Sequence, residues 1–446
     1  MSWSRIVRYT SEALRLLRQR RFSTLRDKSR RMADAMAPRI SLSELATACE
    51  GRSPLICVVD GAQGGGAAMA AARSLAGRRA QGLGTLRIGC DPMGRITVNV
   101  MLPGETAPAL SGRLDEWPVL PASVSAMEIH SLAGFTEPHA VAGWLTQAMA
   151  LIRDKGDQAQ DQGDQHGGVQ QDKPGSREAE QGADTPPAVM VYWHDHYLMC
   201  PTRHLLNADS RYCELPDPSV CVSCLPNNAH CLDVPLRSTN IVLWREQWGQ
   251  VLAGASSIRV FSPSSRELLR RMWPEFDSKV VLTPHDTAHI PQRDLSPAPE
   301  SPLHIGVVGR IAAHKGAAKV ARLARHIEET GANARITVFG TLEEPAPTSV
   351  VSQTGTYSAQ ALPALCAERG VNAFWFPSTW PETFSFVVHE MKAMGLPVLA
   401  YDVGAQADTL ADDDRHRVVS LDMSADDILT TLTEMTTVTE MRGASR

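Results

Sequence analysis

Short runs rich in Val, Ile and Leu recur along most of the chain, separated by stretches in which apolar residues fall at helical spacing. In the first half the strand candidates are residues 55–60, 96–102, 125–132, 189–194 and 258–262; in the second half they are 304–309, 335–340, 373–377 and 397–402. Strands that alternate with helices predict parallel sheets covered by helices, an α/β class. Between the two sets, residues 291–302 are rich in Pro and Ser and read as a linker. The predicted division is a first domain over 40–290 and a second over 303–446. Residues 154–187 are filled with Gln, Asp, Gly and Pro and hold almost nothing that could form a core, which predicts a disordered insert in the first domain.

Length and composition fit this division. A chain of 446 residues with 43% apolar and 21% charged residues can bury two substantial cores. The net charge of -5 does not exclude a phosphate-bearing ligand, because a local basic site can sit on an acidic protein. No run approaches the roughly 18–20 apolar residues needed to cross a bilayer, and the charged start lacks the apolar segment of a signal peptide. These features predict a cytoplasmic protein, and nothing in them calls for a nucleic-acid partner. The first 39 residues hold eleven Lys or Arg against three acids, with Trp3, Ile6, Val7, Leu14 and Leu17 at helical spacing. Such a basic amphipathic helix over 1–39 can pack on its own domain or lie on anionic lipid at the inner face of the plasma membrane.

The chemistry concentrates in Phe376-Pro-Ser-Thr-Trp-Pro-Glu382-Thr-Phe-Ser-Phe-Val-Val-His-Glu390, read as strand, loop and helix. A helix starting near Thr383 leaves the N–H groups of Thr383, Phe384 and Ser385 free for a diphosphate. Glu390 follows Glu382 by eight residues, so on a helix it returns to nearly the same side two turns later. The pair, set in Pro-Glu-Thr-Phe-Ser and followed through Gly404, resembles the signature of the retaining group 1 glycosyltransferases (family four, GT-B fold). The resemblance covers about residues 304–412. It implies two Rossmann-like domains facing across a cleft, with Glu390 on the ribose and Glu382 orienting the donor sugar.

Gly309-Arg310-Ile-Ala-Ala-His-Lys315-Gly316 follows the first strand of the second domain and opens a helix. Backbone can approach phosphates closely at such a turn, and the resemblance places Arg310, Lys315 and Gly309 on the donor diphosphate. In the first domain, Asp60-Gly-Ala-Gln-Gly64-Gly65-Gly66 follows a strand, and the resemblance sets Gly65 and Gly66 near the same phosphates. Asp60 stands where family members often carry His. His194, in Tyr192-Trp-His-Asp-His196, resembles the His-Asp segment of a subset of the family and is implied to face the donor sugar as a hydrogen-bonding group.

Nine cysteines without a secretion signal predict thiols rather than disulfides. Five of them fall in one loop-rich stretch, 200–231: Cys200, Cys213, Cys221 and Cys224 are the candidate ligands, Cys231 or a nearby His can replace one, and Cys221-Val-Ser-Cys224 has the spacing of half a tetrahedral zinc site. A structural zinc or a set of unligated thiols both fit this pattern, and an iron-sulfur cluster fits less well. Catalysis is expected to need no cofactor, since the cationic side chains can take the place of a metal.

The expected reaction is hexosyl transfer from a nucleoside-diphosphate sugar to a hydroxyl of a glycan or lipid-linked acceptor, in polysaccharide or cell-surface glycan synthesis. Retention of configuration is implied by the resemblance. The alternatives are a catalytically silent GT-B carbohydrate-binding or scaffold protein, or a nucleotide-sugar epimerase on the same fold.

Overall fold

The computed structural model describes residues 37–51, 54–62, 65–91, 93–164, 189–231, 234–295 and 301–443. The described residues of Met1–Tyr192, with Gln250–Ile258, form one compact unit, and Trp193–Gly249 with Arg259–Arg446 form another. This grouping differs from a division at 291–302, because residues 193–249 pack with the second half of the chain.

In the first half the elements run α1 (Leu42–Cys49), β1 (Leu55–Asp60), α2 (Gly65–Ala80), β2 (Gly84–Cys90), β3 (Ile96–Met101), β4 (Leu110–Arg113), β5 (Val124–Ile129), α3 (Pro138–Asp164) and β6 (Val189–Tyr192). Then come α4 (Pro218–Cys224), α5 (Ile241–Gly254), β7 (Ser257–Val260), α6 (Pro263–Met272) and β8 (Val280–Leu282). Every residue of β1 is buried, as expected for a central strand with helices on both faces. The sheet order is β4-β3-β2-β1-β5-β6-β7-β8. Pairing is parallel from β2 through β1 and β5 to β6, and antiparallel at β2–β3 and β3–β4.

Two expectations change here. Residues 154–164 are helical, because α3 does not stop where its buried stripe of Val141, Leu145, Ala148, Met149 and Ile152 ends. Lys155 anchors the continuation through its Nζ, which donates to the carbonyls of Ala122 (2.9 Å) and Val124 (3.2 Å). The rest of the expected insert, 165–187, lies outside the described residues. So do residues 1–36 of the expected basic helix. Its last residues are extended: Arg113 N donates to Pro38 O and Ile40 N to Arg113 O, which lays Arg39 beside β4.

The second half contains β9 (Leu303–Ile311), α7 (Ala317–Thr330), β10 (Ala334–Leu342), β11 (Val351–Gln353), α8 (Leu362–Arg369), β12 (Ala373–Phe376), α9 (Phe386–Lys392), β13 (Val398–Tyr401), α10 (Gly404–Leu410), β14 (Arg417–Val419) and α11 (Ala425–Gly443). All pairs are parallel, in the order β11-β10-β9-β12-β13-β14. That is the Rossmann order, with the chain reversing direction between β9 and β12. Side chains alternate across this sheet. Val307, Trp375, Leu399 and Tyr401 join α7 and α11 in one core, and Val308, Phe374, Phe376, Val398 and Ala400 join α8 and α9 in the other. With both faces sealed, the loops after β9, β12 and β13 are left to meet beyond the carboxyl ends of the strands, where ligands bind in open α/β sheets.

Candidate active site

The loop from Ser378 to Ser385 is held from three directions. Gly404 sits at φ +61 where an added Cβ would lie 2.5 Å from Pro381 Cα and 2.6 Å from Glu382 N, so α10 starts in direct contact with the loop. From α10, Gln406, which is fully buried, donates through Nε2 to Trp380 O (2.9 Å) and accepts the Glu382 N–H at Oε1 (3.2 Å). From the segment after β6, His196 binds Pro381 O through Nε2 (2.8 Å), while Trp193 Nε1 donates to His196 Nδ1 (3.2 Å). A donor at Nδ1 requires that nitrogen to be the acceptor, so the proton of the neutral ring is on Nε2. Burial lowers the His196 pKa to about 4, which keeps the ring neutral.

This loop alters the expected helix start. The helix begins at Phe386, and Ser385 is its N-cap, its Oγ accepting the Val388 N–H at 3.4 Å. Thr383 and Phe384 precede the helix, and Glu382 is not on it. The physical reason is the set of clamps on residues 380–382, which fixes an extended approach after Pro381. None of the N–H groups of Thr383, Phe384 and Ser385 donates a hydrogen bond among the described residues. They remain donors for a ligand, presented by a loop instead of a first helical turn.

The two glutamates meet through one lysine. Lys315 Nζ lies 3.6 Å from Glu382 Oε1, which also accepts from Ser378 Oγ at 3.1 Å. The Lys315 charge acts on Glu390 as well, though burial outweighs it and raises the Glu390 pKa to about 7. Glu390 Oε2 is buried with no hydrogen-bond partner among the described residues. A buried carboxylate oxygen without a donor costs free energy and is suited to a ligand hydroxyl. Gly316, at φ +79, brings the Lys315 turn against the loop: a Cβ there would lie 2.0 Å from Pro377 O. Thr379 N adds a hydrogen bond to His314 O (3.2 Å).

Other expected residues occupy different settings. Arg310 is engaged with Glu343, its Nε donating to Oε1 at 2.8 Å, and its side chain is 80% exposed. Gly309 has φ +114 and open space around its missing Cβ. His194 meets the loop through its backbone carbonyl, which accepts from Thr383 Oγ1 at 2.9 Å. Its ring stacks on Phe261 (4.9 Å) and is parallel to His285 (5.8 Å). Gly65 and Gly66 open α2 in the other unit, Gly65 at φ +76, both with nothing within 4 Å of a built Cβ.

The cysteine stretch brings a group to the site that spacing did not suggest. His204 stacks on His314 at 4.1 Å and 5°, and the edge of Trp380 meets both rings. Burial and neighbouring positive groups lower both imidazoles, His314 to about 3. The cysteines are all thiols. Among the described residues, no three His, Cys, Asp or Glu side chains are placed to hold a metal ion. Three of the expected zinc ligands accept from separate protein donors: Thr202 to Cys200 (3.4 Å), Arg245 to Cys221 (3.8 Å) and Asn228 to Cys224 (3.3 Å). Burial pushes the Cys200 and Cys213 thiols up to about 12 and 11.

The family described as Glycosyl transferases group 1 matches over residues 291–443. The matched stretch contains Arg310, Lys315, Glu382 and Glu390, the whole carboxylate and cation set. Comparison with curated proteins gave no match. Among solved structures the chain is similar to HepE of Anabaena in complex with UDP and glucose (11% identity, 85% of this chain and 89% of that one, TM-score 0.46). It is also similar to a glycosyltransferase of Rickettsia africae (11%, 87% and 89%, 0.46) and to the catalytic domain of starch synthase IV of Arabidopsis thaliana bound to ADP and acarbose (9%, 86% and 92%, 0.42). Among the described residues no helix is long and apolar enough to cross a membrane.

Proposed function

We propose that the protein transfers a hexosyl group from a nucleoside-diphosphate sugar to a hydroxyl of a glycan acceptor, with retention of configuration. The observation that carries this reading is Lys315 acting on the two glutamates Glu382 and Glu390, the latter with a buried oxygen that lacks a donor. Glu390 takes the ribose hydroxyls. The free N–H groups of residues 383–385 and Lys315 take the diphosphate, whose charge grows as the bond from C1 to the phosphate oxygen breaks. Glu382 holds the donor sugar and supports positive charge at C1. The acceptor oxygen bonds to C1 as the bond from C1 to the phosphate oxygen breaks, and the nucleoside diphosphate leaves with the proton of the acceptor hydroxyl.

Release of nucleoside diphosphate from UDP-, GDP- and dTDP-sugars tests the reading, with and without a glycan acceptor. Acceptor-dependent release that disappears in Glu382→Ala is the expected result. Release that proceeds equally without acceptor, or survives in Glu382→Ala, overturns it.

A further inference from the structure

A cavity of about 810 Å³ borders the site at Thr379 and Gly316, yet none of Arg310, Lys315, Glu382 and Glu390 lines it. Its volume falls in the range of small-ligand pockets. Lys319 and Arg322 reach it from α7, Arg211 from the segment before α4, and Arg271 from α6. These cations are not neutralised by the acids beside them. Lys319 Nζ donates to Leu421 O (2.6 Å) and Arg271 to Glu214 O (2.9 Å), both backbone carbonyls. Arg211 is 3.9 Å from Asp422 with both side chains largely exposed, a pairing worth little. The Arg322 side chain makes no hydrogen bond or ion pair among the described residues. Burial and the nearby Arg322 lower the Lys319 pKa and outweigh the Asp422 charge, which raises it.

Three of the four carboxylates of the lining are unpaired as well, the fourth being Asp422, the exposed partner of Arg211. Asp209, Glu214 and Asp402 form no ion pair among the described residues. A cavity in which most charges of both signs stay apart suits a ligand that brings its own partners for each. An anionic group satisfies Lys and Arg, and hydroxyl donors satisfy carboxylates. Tyr212, also in the lining, adds an amphipathic side chain with an apolar body and a polar hydroxyl. The wall is costly to build. Ser210 and Glu214, with Arg203, Leu205 and Leu215, hold φ between 53° and 60°, a left-handed conformation that non-glycine residues adopt at functional sites when the surroundings enforce it.

We propose that this cavity binds an acidic saccharide residue of the acceptor, its anionic group on Lys319 and Arg322 and its hydroxyls on Asp209 and Asp402. This rests on the transferase reading above, which it extends from the donor to the acceptor class. Calorimetric titration without donor tests it on the full chain. The probes are a tetrasaccharide of alternating glucuronate and N-acetylglucosamine, neutral chitotetraose, and inorganic phosphate. The acidic tetrasaccharide binds the wild type, and at least tenfold more weakly the Lys319→Gln/Arg322→Gln variant, whose melting temperature confirms that it is folded. Absence of binding, equal binding of chitotetraose, phosphate binding as tightly as the tetrasaccharide, or an unaffected double variant each overturns the assignment. If sugar nucleotides are turned over but the tetrasaccharide does not bind, this inference alone fails. If the tetrasaccharide binds as described and no sugar nucleotide is consumed, the transferase reading fails and the saccharide site stands.

Discussion

The side-chain amide of Gln406 grips the backbone on both sides of Pro381, accepting from Glu382 N at 3.2 Å and donating to Trp380 O at 2.9 Å. Gln406 therefore sets where the Glu382 carboxylate sits without touching it. Replacing it with Leu leaves two buried backbone groups unpaired, at a cost of about 2–4 kcal/mol. Urea denaturation should show that loss, and kcat should fall more than KM rises, since the carboxylate loses its placement and the nucleotide groups do not.

Gly316 and Gly331 both adopt positive φ, at +79 and +65, but only Gly316 lacks room for a Cβ. Gly331→Ala should cost about 1 kcal/mol of backbone strain. Gly316→Ala must also displace Pro377 O and should cost about 3 kcal/mol or more. Equal losses in chemical denaturation would mean that the Lys315 turn and the Pro377 loop are not in contact.

Glu390 predicts two opposite pH dependences. Its folded pKa of about 7 lies above the ordinary 4.5, so the fold favours the protonated acid. Its contribution to stability is complete below about 4.5 and is lost as pH rises through about 7. Ribose hydroxyls need the carboxylate as acceptor, so nucleoside-diphosphate affinity should rise over the same interval. Glu390→Gln should flatten both curves, the first in thermal melts of the free protein and the second in titrations.

Arg310 and Lys315 should separate cleanly. Arg310 pairs with Glu343 in solvent, and Arg310→Ala should change stability by no more than about 0.5 kcal/mol. Lys315→Ala removes the cation beside a buried carboxylate and should lower kcat by about 10²-fold to 10³-fold. Urea denaturation measures the first variant, and a stopped assay of nucleoside-diphosphate release measures the second.

Local pattern revealed β1, β9, β10, β12 and β13, each of which carries a short run of large apolar residues or alternates them with polar ones. It missed β2, where Gly84, Arg87 and Gly89 break the run. The glycines are there for tertiary reasons: a Cβ at Gly84 would lie 2.5 Å from Leu55 Cδ2, and one at Gly89 lies 3.1 Å from Asp60 O. β14, only Arg417–Val419, is too short to show a period. At the site, Lys315, Glu382 and Glu390 were legible because their spacing and neighbours are unusual. The start of α9 was not. Its clamps come from Gln406, 24 residues from Glu382, and His196, 185 residues from Pro381, and no local signal encodes such partners. His314 and Trp380 lay inside the quoted motifs, but their stacking with His204 depends on the path of the cysteine stretch.

The bond from His196 to Pro381 means that the group 1 stretch is not a severable module. A fragment beginning at residue 303 would keep Lys315, Glu382 and Glu390 but strand the Pro381 carbonyl, free the Thr383 hydroxyl from His194, and bare the edge of Trp380 to water. Grafting residues 291–443 onto another amino-terminal half would therefore transplant the acids without the scaffold that aims them.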